Sequence, residues 1–138
     1  MKRKGKRLFY TTLLALIMSL TPFGKAHKYA EPLPNSRVIK QGKASWYSRH
    51  SPGINRHTAN NELFDDMAMT CAMWGAKFNQ KVRVTNLANG KSVIVRVNDR
   101  GPHKRYARKG RFIDLTKAAF KKLSPTQKGL ITVQIEFL

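Results

Sequence analysis

The sequence predicts a small closed β-barrel carrying one short helix. Apolar and polar residues alternate at period two in blocks of four to eight residues, and turn residues separate the blocks. A parallel α/β sheet would need a helix between successive strands, and only one helical pattern is present. At 138 residues with 41% hydrophobic content, the chain can bury one core and has no length for a second.

The first element is not part of that barrel. MKRKGKR is followed by an uncharged run from Leu8 to Leu20, a break at Thr21-Pro22 and the small residues Gly24 and Ala26. This is the order of a secretory signal. The run is too short for a permanent helical span, which needs about 20 apolar residues. Residues 1–26 are therefore expected to be a signal peptide cleaved after Ala26, the alternative being a retained anchor. Residues 27–40 carry two prolines and little periodicity, so they read as an extended lead-in, and the barrel domain is placed at residues 41–138.

Within the domain, Gly42–Tyr47, Lys81–Asn86 and Lys91–Asn98 alternate as strands with one buried face. Leu87-Ala88-Asn89-Gly90 joins the last two, and Asn-Gly between alternating runs predicts a hairpin. Arg111–Asp114 reads as a short strand. Leu115, Ala119, Phe120 and Leu123 fall near helical spacing, and Ser124-Pro125 closes that segment. Ile131–Leu138 is the final strand.

Charge narrows the function. Twenty-seven Lys and Arg against seven Asp and Glu give +20, which first suggests nucleic acid as a partner. Signal removal takes away six cations and no acid, leaving +14 on an exported chain. Outside the cytoplasm the abundant polyanions are cell-wall polymers and lipid headgroups. No aromatic-studded basic strand supports a nucleic-acid surface, so nucleic acid is not expected. The single Cys71 excludes an internal disulfide framework, lies too far downstream to carry a lipid anchor, and reads as a small buried hydrophobe. His50, His57 and His103 lack paired ligand spacing, so neither a metal nor another cofactor is expected.

The few carboxylates are informative. Asp99 ends a strand in Val97-Asn98-Asp99-Arg100-Gly101-Pro102, where a turn can aim it into a cleft. Asp114 lies among Phe112, Ile113 and Leu115. Burial there favours the protonated acid and a neighbouring Arg100 or Arg111 opposes it. Asp114 could equally cap the helix that follows. Asp65 and Asp66 could serve only to solvate a turn.

From Gly42 onward the chain resembles the RlpA-like (rare lipoprotein A) family of double-psi β-barrels. The resemblance rests on Gly42–Tyr47, Thr58–Asp65, Val82–Gly90, Val95–Pro102 and Ile113–Thr116, which occur in family order. It implies a mainly β, six-stranded double-psi barrel with one or two short helices and a polysaccharide groove. It implies an endolytic peptidoglycan lytic transglycosylase that cleaves glycan strands, preferring those stripped of stem peptides, and leaves 1,6-anhydro-N-acetylmuramic ends. Glu62, Asp65, Asp99 and Asp114 match its important acidic positions. Asp114 or Asp99 would transfer the proton, and Glu62 and Asp65 would orient the sugar or tune the acid. Trp46, Tyr47, Thr58, Asn60 and Arg100 would bind substrate, with Phe64 as groove or core surface. The implied partner is peptidoglycan, or another anionic wall polymer drawn to the basic run 103–111, met by a monomer in the periplasm or at the wall.

The chain departs from the family at Met73, where the pattern has a histidine. Methionine neither transfers a proton nor donates a hydrogen bond. That departure supports an alternative, a non-catalytic expansin-like module that binds wall polysaccharide without cutting it.

Overall fold

The computed structural model describes residues 37–138, with side chains from Gln41 onward. The expected signal peptide and residues 27–36 of the lead-in lie outside the described residues. Six strands and two helices follow in order: β1 (Arg37–Tyr47), β2 (Thr70–Met73), β3 (Lys81–Asn86), β4 (Ser92–Asp99), α1 (Lys104–Ala107), β5 (Arg111–Thr116), α2 (Lys117–Leu123) and β6 (Leu130–Phe137). The strands close into one barrel in the order β1-β5-β2-β4-β3-β6. The β1/β5 and β2/β4 pairs are parallel and the other four antiparallel. Exchanging β1 with β4, β2 with β5 and β3 with β6 returns the same ring read backwards. The barrel therefore consists of two interlocked, similarly connected halves, the double-psi arrangement. Every one of the six pairings joins a strand of the first half to one of the second.

The alternating sequences explain the filling. Val82, Val84, Val95, Val97, Ile113, Leu115, Val133 and Ile135 point inward and are buried, so side chains pack the interior. Helix α2 covers this core with Ala119, Phe120 and Leu123. It begins after Thr116, whose hydroxyl oxygen accepts from the Ala119 N–H at 3.3 Å. The cap is thus Thr116, while Asp114 and Leu115 belong to β5; closing the barrel takes Leu115 into the sheet. The expected hairpin forms at residues 87–90, and Asn86 and Asn89 donate to the Leu123 carbonyl at 3.0 and 2.9 Å. They satisfy a helix end that has no partner within α2. Asn86→Ala removes a buried bond of this kind and is expected to lower stability by about 1–2 kcal/mol, read as a shift in the urea midpoint.

Three elements differ from the sequence expectations. Strand β1 starts at Arg37, inside the expected lead-in, because β6 supplies partners as far as the Arg37–Phe137 pair. Strand β2 has no legible period because all four residues are buried: Cys71 and Met73 enter the barrel core, and Ala72 packs beneath Tyr47 and Phe64. The basic run after Pro102 contains one helical turn, α1, capped by His103. Cys71 is fully buried, and burial pushes its thiol well above the ordinary range, as an inert hydrophobe requires. No helix among the described residues is long and apolar enough to cross a membrane.

Candidate active site

Four adjacent strands place Ser45, Asp114, Ala72 and Asp99 side by side, through the Ser45–Asp114, Asp114–Ala72 and Ala72–Asp99 pairs. A bulge makes this row possible. Between the Cys71–Val97 and Ala72–Asp99 pairs, β4 carries one extra residue, Asn98. The extra residue reverses the alternation, so Val97 points into the core while Asp99 turns to the outer face with Asp114. The two carboxylates sit two strands apart, roughly 10 Å between backbones. Ala72, on the floor between them, contributes only a methyl group, which packs against Tyr47 and Phe64.

That floor belongs to a groove of about 470 Å³ walled by Trp46, Tyr47, Trp74, Tyr106 and Arg111. Asp99 also borders an adjoining depression of about 280 Å³ lined by His57 and Thr58. A larger cleft of about 640 Å³ lies beside α2, among His50, Lys117, Lys121 and Lys122. Its one carboxylate, Asp66, is tied to Arg49 at 3.4 Å, so no second carboxylate is present there for acid–base work.

Each groove carboxylate is held by one oxygen. Asp114 Oδ1 accepts from the Ser45 hydroxyl and from Arg111 Nε, the latter at 2.8 Å. Its other oxygen, Oδ2, lies below Gly101, where an added Cβ would stand 3.5 Å from it and 3.2 Å from the Ala72 methyl. The lack of a side chain at Gly101 keeps Oδ2 uncrowded. Asp99 Oδ1 accepts the backbone N–H of Ala59 at 3.0 Å and of Arg100 at 2.8 Å. Tyr47 lines the same groove, while its hydroxyl oxygen is buried and has no partner among the described residues. Burial, then the charge of Asp99, push its phenol well above the ordinary value, so it remains a donor.

Glu62 and Asp65 do not converge with this pair. Glu62 is clamped by Arg96 through bonds of 2.6 and 2.9 Å and accepts from Asn98 and Asn60. The Arg96 bonds, then the Asn98 amide, hold its carboxyl down at about 2, so it is an anion at neutral pH and has no proton to give. Glu62 fastens the 58–62 turn to β4, and that turn delivers the Ala59 N–H to Asp99. Thr58 and Asn60, expected to bind substrate, are bonded within the same turn: the Thr58 hydroxyl donates to Asn60 Oδ1 at 2.6 Å, and the Asn60 amide donates to Glu62 at 2.8 Å. Asp65 is exposed and accepts the Met67 N–H at 2.9 Å, the turn role its sequence context allowed.

Because the Glu62 carboxyl falls from an ordinary 4.5 to about 2 on folding, its contribution is fully present above pH 4.5 and is lost as pH falls through 2. Solvent exposure limits that contribution to about 1 kcal/mol. Urea midpoints measured at pH 6 and pH 2.5 are expected to lie closer together for Glu62→Gln than for the unaltered chain.

Arg100 donates to the Met73 carbonyl at 3.0 Å and stacks 3.8 Å from the Phe78 ring centroid, so its guanidinium is occupied. Trp46 is fixed by its indole N–H to the Thr126 carbonyl at 3.0 Å. Met73 faces the barrel core beside Cys71, on the face of β2 opposite Ala72. Methionine at this position therefore takes no proton-transfer group from the Asp99–Asp114 floor. Sequence reasoning missed Trp74 and Tyr106 as groove walls. The signal was there in a tryptophan directly after a buried run and a tyrosine set among arginines.

A six-stranded double-psi barrel with a carboxylate-floored, aromatic-walled groove is the class of protein these features define. The chain belongs to the lytic transglycolase family, whose family model matches residues 39–135. It is 45% identical over 102 residues to a probable endolytic peptidoglycan transglycosylase RlpA of Nostoc sp., covering 74% of this chain and 26% of that protein. It is 44% identical over 116 residues to an endolytic peptidoglycan transglycosylase RlpA of Pseudomonas aeruginosa, covering 83% and 32%. The chain thus spans about a quarter to a third of these relatives. Among solved structures, the fold is shared with a Streptomyces papain inhibitor (TM-score 0.50, 24% identity, 75% of this chain and 96% of that one). It is shared also with a Clavibacter michiganensis expansin (TM-score 0.51, 21% identity, 71% and 49%).

Proposed function

We propose that this chain is an endolytic peptidoglycan lytic transglycosylase, exported to the cell envelope, that cuts glycan strands to leave 1,6-anhydro-N-acetylmuramic ends. The observation that carries the reading is the row Ser45–Asp114–Ala72–Asp99, which sets two carboxylates on one groove floor. The relatives' names supply the reaction class. The signal-like N-terminus supports export, and a closed barrel with no free sheet edge supports a monomer.

This reaction needs one acid–base group, because the attacking hydroxyl belongs to the substrate and no water must be activated. Asp114 is assigned that role. Ser45 and Arg111 fix Oδ1, which leaves Oδ2 in a set position beneath Gly101. In its protonated form the Asp114 carboxyl gives its proton to the glycosidic oxygen as the bond from that oxygen to C1 of the muramyl sugar breaks, and Arg111 steadies the carboxylate that results. The resulting carboxylate takes the proton of the C6 hydroxyl as O6 bonds to C1. Asp99, across the Ala72 floor, stabilises the positive charge that builds at C1. Tyr47 supplies part of the wall, and Trp46 and Trp74 supply stacking surface.

Incubation of the mature protein with denuded glycan strands, followed by mass spectrometry, tests the reading. Release of 1,6-anhydro ends is the expected result. Ordinary reducing ends would make the protein a hydrolase, and retention on insoluble peptidoglycan without cleavage would favour the expansin-like module.

A further inference from the structure

Residues 103–111 carry Lys104, Arg105, Arg108, Lys109 and Arg111 and no carboxylate. The α1 turn within them buries no side chain. Like charges crowded on one turn repel, and the core contributes nothing to hold them together. Within the protein, Arg111 is partnered by Asp114 at 2.8 Å. The others lie against aromatic faces or in solvent. Arg105 and Arg111 stand 4.6 and 5.0 Å from the Tyr106 ring centroid, and Lys104 stands 5.9 Å from that of Trp74.

The two rings belong to the groove wall. Trp74 is 45% exposed, yet its indole N–H is fixed to the Pro102 carbonyl at 2.6 Å, so the plane is held in place. Tyr106 accepts from Arg105 at 2.6 Å. A groove for neutral sugars needs flat apolar rings. Here each exposed ring on the α1 side carries a cation beside it, and the groove's own carboxylates, Asp99 and Asp114, already have partners. A sugar stacked on Trp74 or Tyr106 would place its substituents next to Lys104 and Arg105.

We infer that α1 and Trp74 form a subsite for a sugar bearing a free carboxylate, in which the rings take the sugar face and Lys104, Arg105 and Arg108 take the acid. The inference rests on the proposed glycan substrate, whose muramyl residues carry a lactyl ether. Its carboxylate is free on a stripped strand and becomes a neutral amide where a peptide is attached.

The test measures binding, separately from cleavage. Denuded strands and the same strands with their carboxyls converted to methylamides are titrated against the unaltered chain, Arg105→Lys and the triple variant K104Q/R105Q/R108Q, with melting curves to verify folding. Neutralising the carboxylates should weaken binding to the unaltered chain and to Arg105→Lys roughly tenfold, the size of one lost charge-assisted contact. The ratio should fall to about one in the triple variant. Equal affinity of the unaltered chain for both strands would overturn the subsite, and so would an undiminished ratio in the triple variant. Equally tight binding of duplex DNA would replace it with non-selective polyanion attraction. Anhydro product with charge-independent binding would sink the subsite and leave the proposed activity standing. Carboxylate-dependent binding without anhydro product would do the reverse.

Discussion

Asp114→Asn is expected to lower the rate of 1,6-anhydro product release by roughly 10²–10⁴-fold, the usual worth of a positioned general acid–base group. The amide keeps the shape and still accepts from Ser45 and Arg111 through its oxygen, so a thermal melt should show a folded barrel. A smaller loss than tenfold, with the fold intact, would move the proton to Asp99. Asp99→Asn then becomes the deciding variant. The two differ in how they are held: Asp114 by side chains of its neighbours, Asp99 by two backbone N–H groups. An amide oxygen at position 99 still accepts both backbone bonds, so that variant should also fold.

Tyr47→Phe should raise stability and leave activity nearly unchanged. The phenol oxygen is buried without a partner among the described residues, an arrangement that costs about 1–3 kcal/mol. Removing it is expected to raise stability by about 1 kcal/mol and to leave turnover nearly unchanged, since the oxygen has no surface open to the sugar. Urea titration and a product assay on the same preparation test both halves. A variant that is less stable would mean that the hydroxyl is satisfied within the folded protein. One that is more stable but roughly tenfold slower would mean that the hydroxyl reaches the sugar in the transition state.

Much of the barrel was legible because its strands have one wet face. Lys81–Asn86 and Ser92–Asp99 alternate visibly, and Asn89-Gly90 marks the turn between them. Strand β2 was not legible by the same logic, since burial on both faces erases the period. The site was partly legible. Asp99 and Asp114 carry the motif signal and meet on the groove floor, but the bulge at Asn98 that turns Asp99 outward leaves no mark in a pattern of polar and apolar letters. Glu62 shares its motif with catalytic candidates, while its role depends on Arg96, which lies 34 residues away in the chain and next to it only after folding. Residues identified by type alone cannot be divided into those that face a ligand and those that hold up the residues that do.

The exchange of strands between the two halves has a consequence for how the protein comes into being. Because β1, β2 and β3 pair only with β4, β5 and β6, the first half emerging from a ribosome has no sheet to make. The first ladder available is the β3–β4 hairpin, and the ring stays open until β6 arrives at the end of the chain. The Asp114–Ala72–Asp99 floor, drawn from three strands of both halves, exists only once β5 has joined β2 and β4, so a shorter chain lacks it.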